Sequence, residues 1–194
     1  MLPDFRVRQR DSLLEIARAI SQELDLDKVL ARILSHSAEL LAGQAGLVAL
    51  RGGEGWQLAA THGIPSRLRQ YLEPILAAVP DHEDPARFEI PEIGRLLQRL
   101  AESVSLGLLT GVGLPLIAQG RVVGVIFIFR NYRGVFSRND RSLLQSFADQ
   151  AAVAVQNAQL YDQTRSEKLR MYALLDSVAD GILILSHDHS IQRA

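Results

Sequence analysis

Residues 112–129 read VGLPLIA-QG-RVVGVIFIF, two apolar runs separated only by Gln119 and Gly120. A loop of two residues, with glycine free to adopt a positive φ, is typical of an antiparallel β-hairpin. The second run has no polar face, which indicates a strand that is covered on both sides. We therefore predict that this hairpin forms the middle of a β-sheet with a layer of structure on each face.

The segment after the hairpin predicts one of those two layers. Ser137 is followed three residues later by Asp140, a capping-box-like pair that is typical of a helix N-terminus. A helix that starts here would carry an apolar stripe at helical spacing and pack on one face of the sheet. The stripe consists of Leu143, Leu144, Phe147, Ala148, Ala151, Ala152, Val155 and Ala158. Loops and short helices from the middle of the chain would close the other face, where a ligand cavity is possible.

These segments together resemble a GAF domain. The resemblance is carried by GVGLPL at 111–116, GRVVGV at 120–125, FSRND at 136–140 and LQSFADQAAVAVQNA at 144–158, and it spans about residues 10–163. It implies an α+β fold with a central antiparallel β-sheet. The N- and C-terminal helices would pack on one face of that sheet, and a small-molecule pocket with short helices would lie on the other.

Alternation along the second strand of the hairpin predicts which residues line that pocket. Gly124 would face the helices, because a helix must approach closely there, and the same parity sends the two following isoleucines to the helix side. The pocket side then receives Val125, Phe127 and Phe129. Our other candidates for the pocket wall are Ala60, His62, Ile90, Leu96, Leu100 and Leu114. We predict no cofactor and no metal site, and the ligand would be an unidentified small molecule.

Upstream of the hairpin, the apolar spacing predicts an amphipathic helix over residues 12–24 and a second helix that Asp25 or Asp27 caps. Gly43 is the expected left-handed end of the second helix. Two strands, at 46–51 and 56–61, flank a glycine-rich turn. A helix that starts at Ser66 should be kinked or ended by Pro74.

Bulk composition excludes several classes of function. The 194 residues carry a net charge of -1, which leaves no basic surface for nucleic acid. No apolar run approaches the roughly 20 residues that a membrane span requires, so we expect a cytoplasmic segment. The chain has no cysteine, which excludes disulfides, thiol catalysis, and the cysteine-dependent sulfoxide reduction and bilin attachment known among GAF proteins.

The sequence changes character after Ala158. Polar residues dominate, but six positions, most of them apolar, follow one another at alternating spacings of four and three residues, as in an imperfect coiled-coil seam. The seam comprises Leu160, Thr164, Glu167, Met171, Leu174 and Val178. Residues 174–194 resemble the opening of a PAS domain. We therefore assign residues 1–165 to the GAF domain and 166–194 to a signalling helix with the truncated start of a PAS domain, cut from a longer protein.

No Ser–His–Asp set, carboxylate pair or metal cluster converges in this sequence, which predicts no catalytic activity. We predict a sensory and dimerisation module of a bacterial-type signalling protein such as a sensor histidine kinase. It would form a parallel homodimer through helices 12–24 and 144–178, bind a small-molecule effector and act on an output domain of the same polypeptide.

Two alternatives stay open at this point. One is a purely structural GAF domain whose pocket is filled by side chains. The other is a cyclic-nucleotide-binding regulatory domain of a cyclase or phosphodiesterase, because Asn131, Phe136 and Asp140 match the signature of that class. In this chain Tyr132 replaces the lysine of the signature, and Arg141 replaces its glutamate.

Overall fold

The computed structural model describes residues 25–53, 55–90, 92–94, 97, 107–177, 184–185 and 191–193. The chain divides into two compact units, Met1–Gln156 and Asn157–Ala194. The helix predicted at 12–24 lies outside the described residues, as do the pocket candidates Leu96 and Leu100.

The first unit is an α+β domain, which confirms the predicted fold class. Its elements are α1 (Leu26–Leu40), β1 (Ala45–Gly52), β2 (Gly55–His62), a 3₁₀ helix (Ser66–Leu72), α2 (Glu73–Ala77), a 3₁₀ turn (Pro85–Arg87), β3 (Thr110–Ala118), β4 (Arg121–Arg130) and the start of α3 (Arg138–Ser177). The four strands form one antiparallel sheet in the order β2-β1-β4-β3. β4 therefore lies between two neighbouring strands, as its apolar sequence predicts.

The turn between β3 and β4 is the predicted two-residue loop. Gln119 has φ 51° and Gly120 has φ 72°, so both residues occupy the left-handed region. Two left-handed residues give a turn whose twist matches that of the flanking strands. The hairpin prediction is confirmed, with each strand extending slightly beyond the predicted bounds.

A β-bulge shifts the register inside this hairpin. Ile117 pairs with Val122, but the next residue, Leu116, pairs with Gly124. Val123 is therefore an extra residue on β4. A one-residue shift transfers every later side chain of the partner strand to the opposite face of the sheet.

The hairpin of β1 and β2 contains a second bulge. Ala49 pairs with Leu58, whereas Val48 pairs with Ala60, so Ala59 is the extra residue. The residues of β2 from Ala60 onward consequently face the side opposite to the one that a regular hairpin would give them.

Two of the described helices, α1 and α3, pack on one face of the sheet. Ile33 and Leu34 of α1 and Phe147 of α3 belong to one apolar core cluster with Ile126 and Ile128 of β4. Gly46 allows the close approach of α1, because a Cβ on this residue would lie 2.8 Å from Leu34 Cδ1. On this face of the sheet Ile126 and Ile128 are fully buried, whereas Leu50 and Leu114 are partly buried.

The ends of α1 are only partly as predicted. Asp25 is the N-cap and accepts a hydrogen bond from Lys28 N at 3.3 Å, and its bonds with Lys28 lower the pKa of the Asp25 carboxyl. The left-handed residue at the other end is Ala42, with φ 49°, and not Gly43. Gly43 N donates to Ala38 O at 2.7 Å as the last residue of a Schellman motif. Position 43 has no room for a side chain, since a Cβ there would lie 2.5 Å from Ile128 Cγ2.

The helix that starts at Ser66 is a 3₁₀ helix, and it ends at Leu72, just before Pro74, as the sequence predicts. Pro74 itself lies in the first turn of the next helix, α2. A proline is tolerated there because the first backbone N–H groups of a helix have no partner within the helix.

The second unit contains the C-terminal part of α3 and a short antiparallel pair, β5 (Ile184–Leu185) with β6 (Ile191–Arg193). Every side chain over residues 159–174 is exposed. Among the described helices, none is both long enough and apolar enough to cross a bilayer. The PAS assignment and the boundary at residue 165 stay predictions.

Candidate functional site

The face of the sheet opposite the helices carries a second apolar cluster, which we call the apolar layer. Its sheet side consists of fully buried residues that include Leu47, Ala49, Val125, Phe127 and Phe129. Its other side is the cover, which we define as the described residues between 64 and 97. The cover contributes Ile64, Leu72, Ile75, Leu76, Val79, Phe88, Ile93 and Leu97.

Aromatic rings fill the centre of the apolar layer. Phe127 and Phe129 stack nearly parallel, with ring centroids 6.2 Å apart and 4° between the ring planes. Gly113 pairs with Phe127, and a Cβ at Gly113 would collide with the Phe127 ring and lie 3.2 Å from Ile90 Cγ2. The absent side chain of Gly113 therefore makes room for the Phe127 ring.

Four of the predicted pocket residues lie in this layer. Val125, Phe127 and Phe129 are part of the cluster, and Ile90 packs against it from the cover. The alternation along β4 is thus as predicted, with Ile126 and Ile128 on the helix side. That these four residues bind a ligand stays a prediction.

Three predicted pocket residues lie on the wrong face. Ala60 pairs with Val48, and Leu114 pairs with Ile126, and all four residues belong to or pack against the helix-covered core. His62 pairs with Gly46, a position that faces α1. Residues directly opposite each other in an antiparallel pair share a face.

The two bulges are the physical reason for these errors. A regular hairpin would pair Leu114 with Val125, and Ala60 with Leu47, which would place both on the layer side. Ala59 is inserted on β2 between the turn and Ala60. Val123 is inserted on β4 and shifts the partner of Leu114 by one residue. Each shift of one residue reverses the face on which the side chain lies relative to the partner strand.

Polar contacts hold the end of the cover against the sheet. Arg51 of β1 donates from Nε to Asp81 Oδ1 at 2.6 Å and from Nη1 to Glu83 Oε1. The bonds to Asp81 and Glu83 raise the pKa of the Arg51 guanidinium. In addition, Val122 N donates to Glu83 O at 2.8 Å, which attaches the same loop to the start of β4.

The acidic and histidine side chains of this loop, which could be candidates for a metal site, are engaged in hydrogen bonds within the protein. Asp84 Oδ1 accepts from Ala86 N at 2.9 Å and caps the following turn, and His82 Nδ1 accepts from Asp84 N. Within the described ranges, His, Asp and Glu do not gather in groups of three that could hold a metal ion.

A groove lies at the rim of the cover, where β2 begins. It measures about 350 Å³ and is lined by Gly55, Trp56, Glu73, Leu76, Ala77, Val79 and Asp81. Trp56 Nε1 donates to Val79 O at 3.2 Å, and the indole meets Phe88 edge-on with ring centroids 6.0 Å apart. No sequence pattern predicted this groove, and its one signal is Trp56, the only tryptophan of the chain.

Arg130 forms a buried cluster at the other end of β4. It donates from Nε and Nη2 to Leu41 O, at 3.0 and 2.6 Å, and from Nη2 to Asp140 Oδ2 at 3.3 Å. The guanidinium carbon lies 3.8 Å from the centroid of the Phe136 ring. One side chain thus contacts the end of α1 and the start of α3.

This cluster accounts for two residues of the cyclic-nucleotide signature. Phe136 stacks on Arg130, while Asp140 Oδ2 accepts from Ser137 N at 2.9 Å and Ser137 Oγ accepts from Asp140 N at 3.1 Å. The reciprocal pair confirms the predicted capping box. Both residues therefore already have structural partners.

Comparisons with known proteins agree with this architecture. The model of the GAF domain family matches residues 25–155. A curated relative, the probable 3',5'-cyclic phosphodiesterase pde-5 of Caenorhabditis elegans, is 30% identical over 66 residues, which are 34% of this chain and 9% of that protein. This chain therefore spans less than a tenth of that relative.

Solved structures share the fold at low sequence identity. The GAF domain assigned to a sensor histidine kinase from Pseudomonas syringae pv. tomato has a TM-score of 0.58 at 18% identity, over 84% of this chain and 94% of that one. The GAF domain of an Acinetobacter phosphoenolpyruvate-protein phosphotransferase has a TM-score of 0.55 at 16% identity, over 80% and 98%. The phycocyanobilin-bound GAF domain of a cyanobacterial phytochrome has a TM-score of 0.56 at 18% identity, over 79% and 96%.

Proposed function

This chain belongs to the GAF domain family, and on that premise we propose that it is a non-enzymatic sensory module of a longer signalling protein. In this proposal a small molecule enters the apolar layer between sheet and cover. The resulting shift reaches the last helix and, through it, an output domain of the same polypeptide. The solved GAF domain assigned to a sensor histidine kinase supports that type of parent protein.

One observation carries the proposal, namely that β4 contacts both layers of the domain. Phe127 and Phe129 pack under the cover, whereas Ile126 and Ile128 pack against the helices. Packed interfaces respond to displacement by moving as units, because protein interiors are close-packed. A ligand that displaces the cover would thus shift the strand that supports α3.

The Arg130 cluster gives this strand a polar connection to the helices as well. Its guanidinium bonds to Leu41 O at the end of α1 and to the Asp140 carboxylate in the first turn of α3. A movement along β4 would therefore change the first turn of α3 directly, and not only through apolar contacts.

The layer also indicates the chemistry of the effector. Among the described residues, the buried polar side chains are Ser37, which is part of α1, and Arg130, which bonds to the end of α1. An ion inside the layer would therefore lose its hydration without a partner. The effector is thus a largely apolar molecule, and it must move cover side chains, because Phe127 and Phe129 fill the centre.

Native mass spectrometry of the purified chain tests this proposal. We expect a bound small molecule that is lost under denaturing conditions. Ala49→Leu adds bulk inside the layer and should lower the occupancy, whereas Val153→Leu on the exposed side of α3 should not. Circular dichroism of both variants separates loss of binding from loss of folding.

A second candidate function is a purely structural domain, and the stacked phenylalanine pair favours it. In that case the layer is complete without a ligand. The same experiment distinguishes the two, because a structural domain shows no mass beyond that of its polypeptide, as monomer or dimer, in the wild type and in both variants.

A further inference from the structure

The rim groove borders the apolar layer, with which it shares Leu76 and Val79, but its chemistry is different. Trp56, Leu76 and Val79 give it an apolar wall, and its described lining includes no residue of β4. Its volume of about 350 Å³ falls at the lower end of the range of small-molecule pockets, about 300–1,000 Å³.

The only indole of the chain is held in a fixed position at this groove. Its Nε1 is already bonded to Val79 O, and Phe88 packs edge-on against the ring. Because the donor is occupied, the indole offers a ligand its apolar ring surface and the negative potential of its π face.

The charged residues of the described groove lining share one sign. Glu73 and Asp81 are acidic, and none of the described lining residues is basic. Asp81 shares its carboxylate with Arg51 Nε, whereas Glu73 is exposed and makes no ion pair within the described part of the chain. Glu73 is therefore the carboxylate that is available to a ligand.

We infer that this groove binds a small organic cation, an ammonium group on a short apolar or aromatic body. The body would lie against Trp56, Leu76 and Val79, and the ammonium would bond to the Glu73 carboxylate near the indole ring. Carboxylates and tryptophan faces are the protein groups that most favour such a cation. The ligand would occupy the open groove and not the interior of the layer, so a failure of either proposal leaves the other standing.

Tryptophan fluorescence tests the inference directly, since Trp56 is the sole tryptophan. The full chain is titrated with phenethylammonium chloride, with its neutral analogue 2-phenylethanol and with the anion phenylacetate. We expect a saturable change of the Trp56 emission with the ammonium probe and binding about tenfold tighter than that of the alcohol. Phenylacetate should not bind.

Two variants identify the carboxylate. Glu73→Gln should remove the preference for the ammonium probe, so that it binds no better than 2-phenylethanol. Glu39→Gln, on the exposed side of α1, should leave the preference unchanged. Equal affinity of the wild type for the ammonium and the alcohol, no saturable response of Trp56, or an unchanged preference in Glu73→Gln would each overturn the inference.

Discussion

At the scale of single residues, Ala42 holds a conformation that glycine adopts at less cost. It is the left-handed residue of the Schellman motif after α1, and its side chain is exposed. We expect Ala42→Gly to raise the free energy of unfolding by roughly 0.5–1 kcal/mol, because the Cβ strain is removed without loss of packing. Chemical denaturation measures this change.

The neighbouring glycine is the matched comparison. Gly43→Ala would place a Cβ 2.5 Å from Ile128 Cγ2, so we expect a loss of about 1–3 kcal/mol from overpacking. Stabilisation by Gly43→Ala, or destabilisation by Ala42→Gly, would contradict this assignment of the two positions.

Arg130 is the residue on which the junction of the helices with β4 depends most. Arg130→Met removes both donors from Leu41 O and the cation from Asp140. We expect a loss of about 2–3 kcal/mol in the free energy of unfolding, below the largest values for buried pairs because Asp140 retains some contact with water. Denaturant titration of this variant provides the measurement.

Arg130→Lys should recover only part of that loss, since a single ammonium cannot reproduce the guanidinium geometry. Arg133→Met, at an exposed position, should change stability little. Equal stabilities of Arg130→Met and Arg133→Met would show that the buried cluster contributes nothing.

At the scale of secondary-structure elements, the start of α3 depends on its capping box. Ser137→Ala removes the hydroxyl that accepts from Asp140 N, which should cost about 1 kcal/mol. Ser142→Ala lies on the exposed side of the same helix and should be neutral or slightly stabilising. Thermal unfolding of both variants measures this difference in stability. Equal melting temperatures would contradict the capping role of Ser137.

Some features of the secondary-structure elements can be predicted from the sequence, and others cannot. The β3–β4 hairpin, its turn and the capping box depend on neighbours within a few residues, and all three were predicted correctly. The faces of Ala60, His62 and Leu114 depend on the bulges at Ala59 and Val123. A bulge leaves no clear signal in an apolar strand, because valine or alanine fits either face.

Contacts between distant segments could not be predicted from the sequence either. Arg51 bonds to a loop 30 residues away, and Arg130 bonds to Leu41, 89 residues away. Such partners depend on the packing of the whole domain. Only the position of Arg130 at the end of a long apolar run hints that it is buried.

At the scale of the whole molecule, we propose a parallel homodimer through the exposed part of α3. Leu160, Met171 and Leu174 are each about half exposed, and burying the exposed half of each would contribute about 1 kcal/mol. Thr164 and Glu167 interrupt the seam and should weaken it. We expect light scattering to give a dimer for the full chain and a lower mass for a version that stops at Ala158.

Point variants test whether the dimer forms through this seam or through another part of the helix surface. Met171→Asp should weaken the dimer, whereas Leu169→Asp should not, because Leu169 is equally exposed but lies outside the seam. A monomeric full chain, or equal effects of the two variants, would contradict the proposed interface.

The central claim is that a ligand in the apolar layer changes the start of α3 through β4. Hydrogen exchange tests it most directly, on chain that retains its small molecule and on chain from which the molecule was removed by reversible unfolding. The account predicts that removal speeds amide exchange both in the cover, at residues 72–79, and in α3, at residues 138–156. Faster exchange in the cover alone, or no change in either segment, would contradict it.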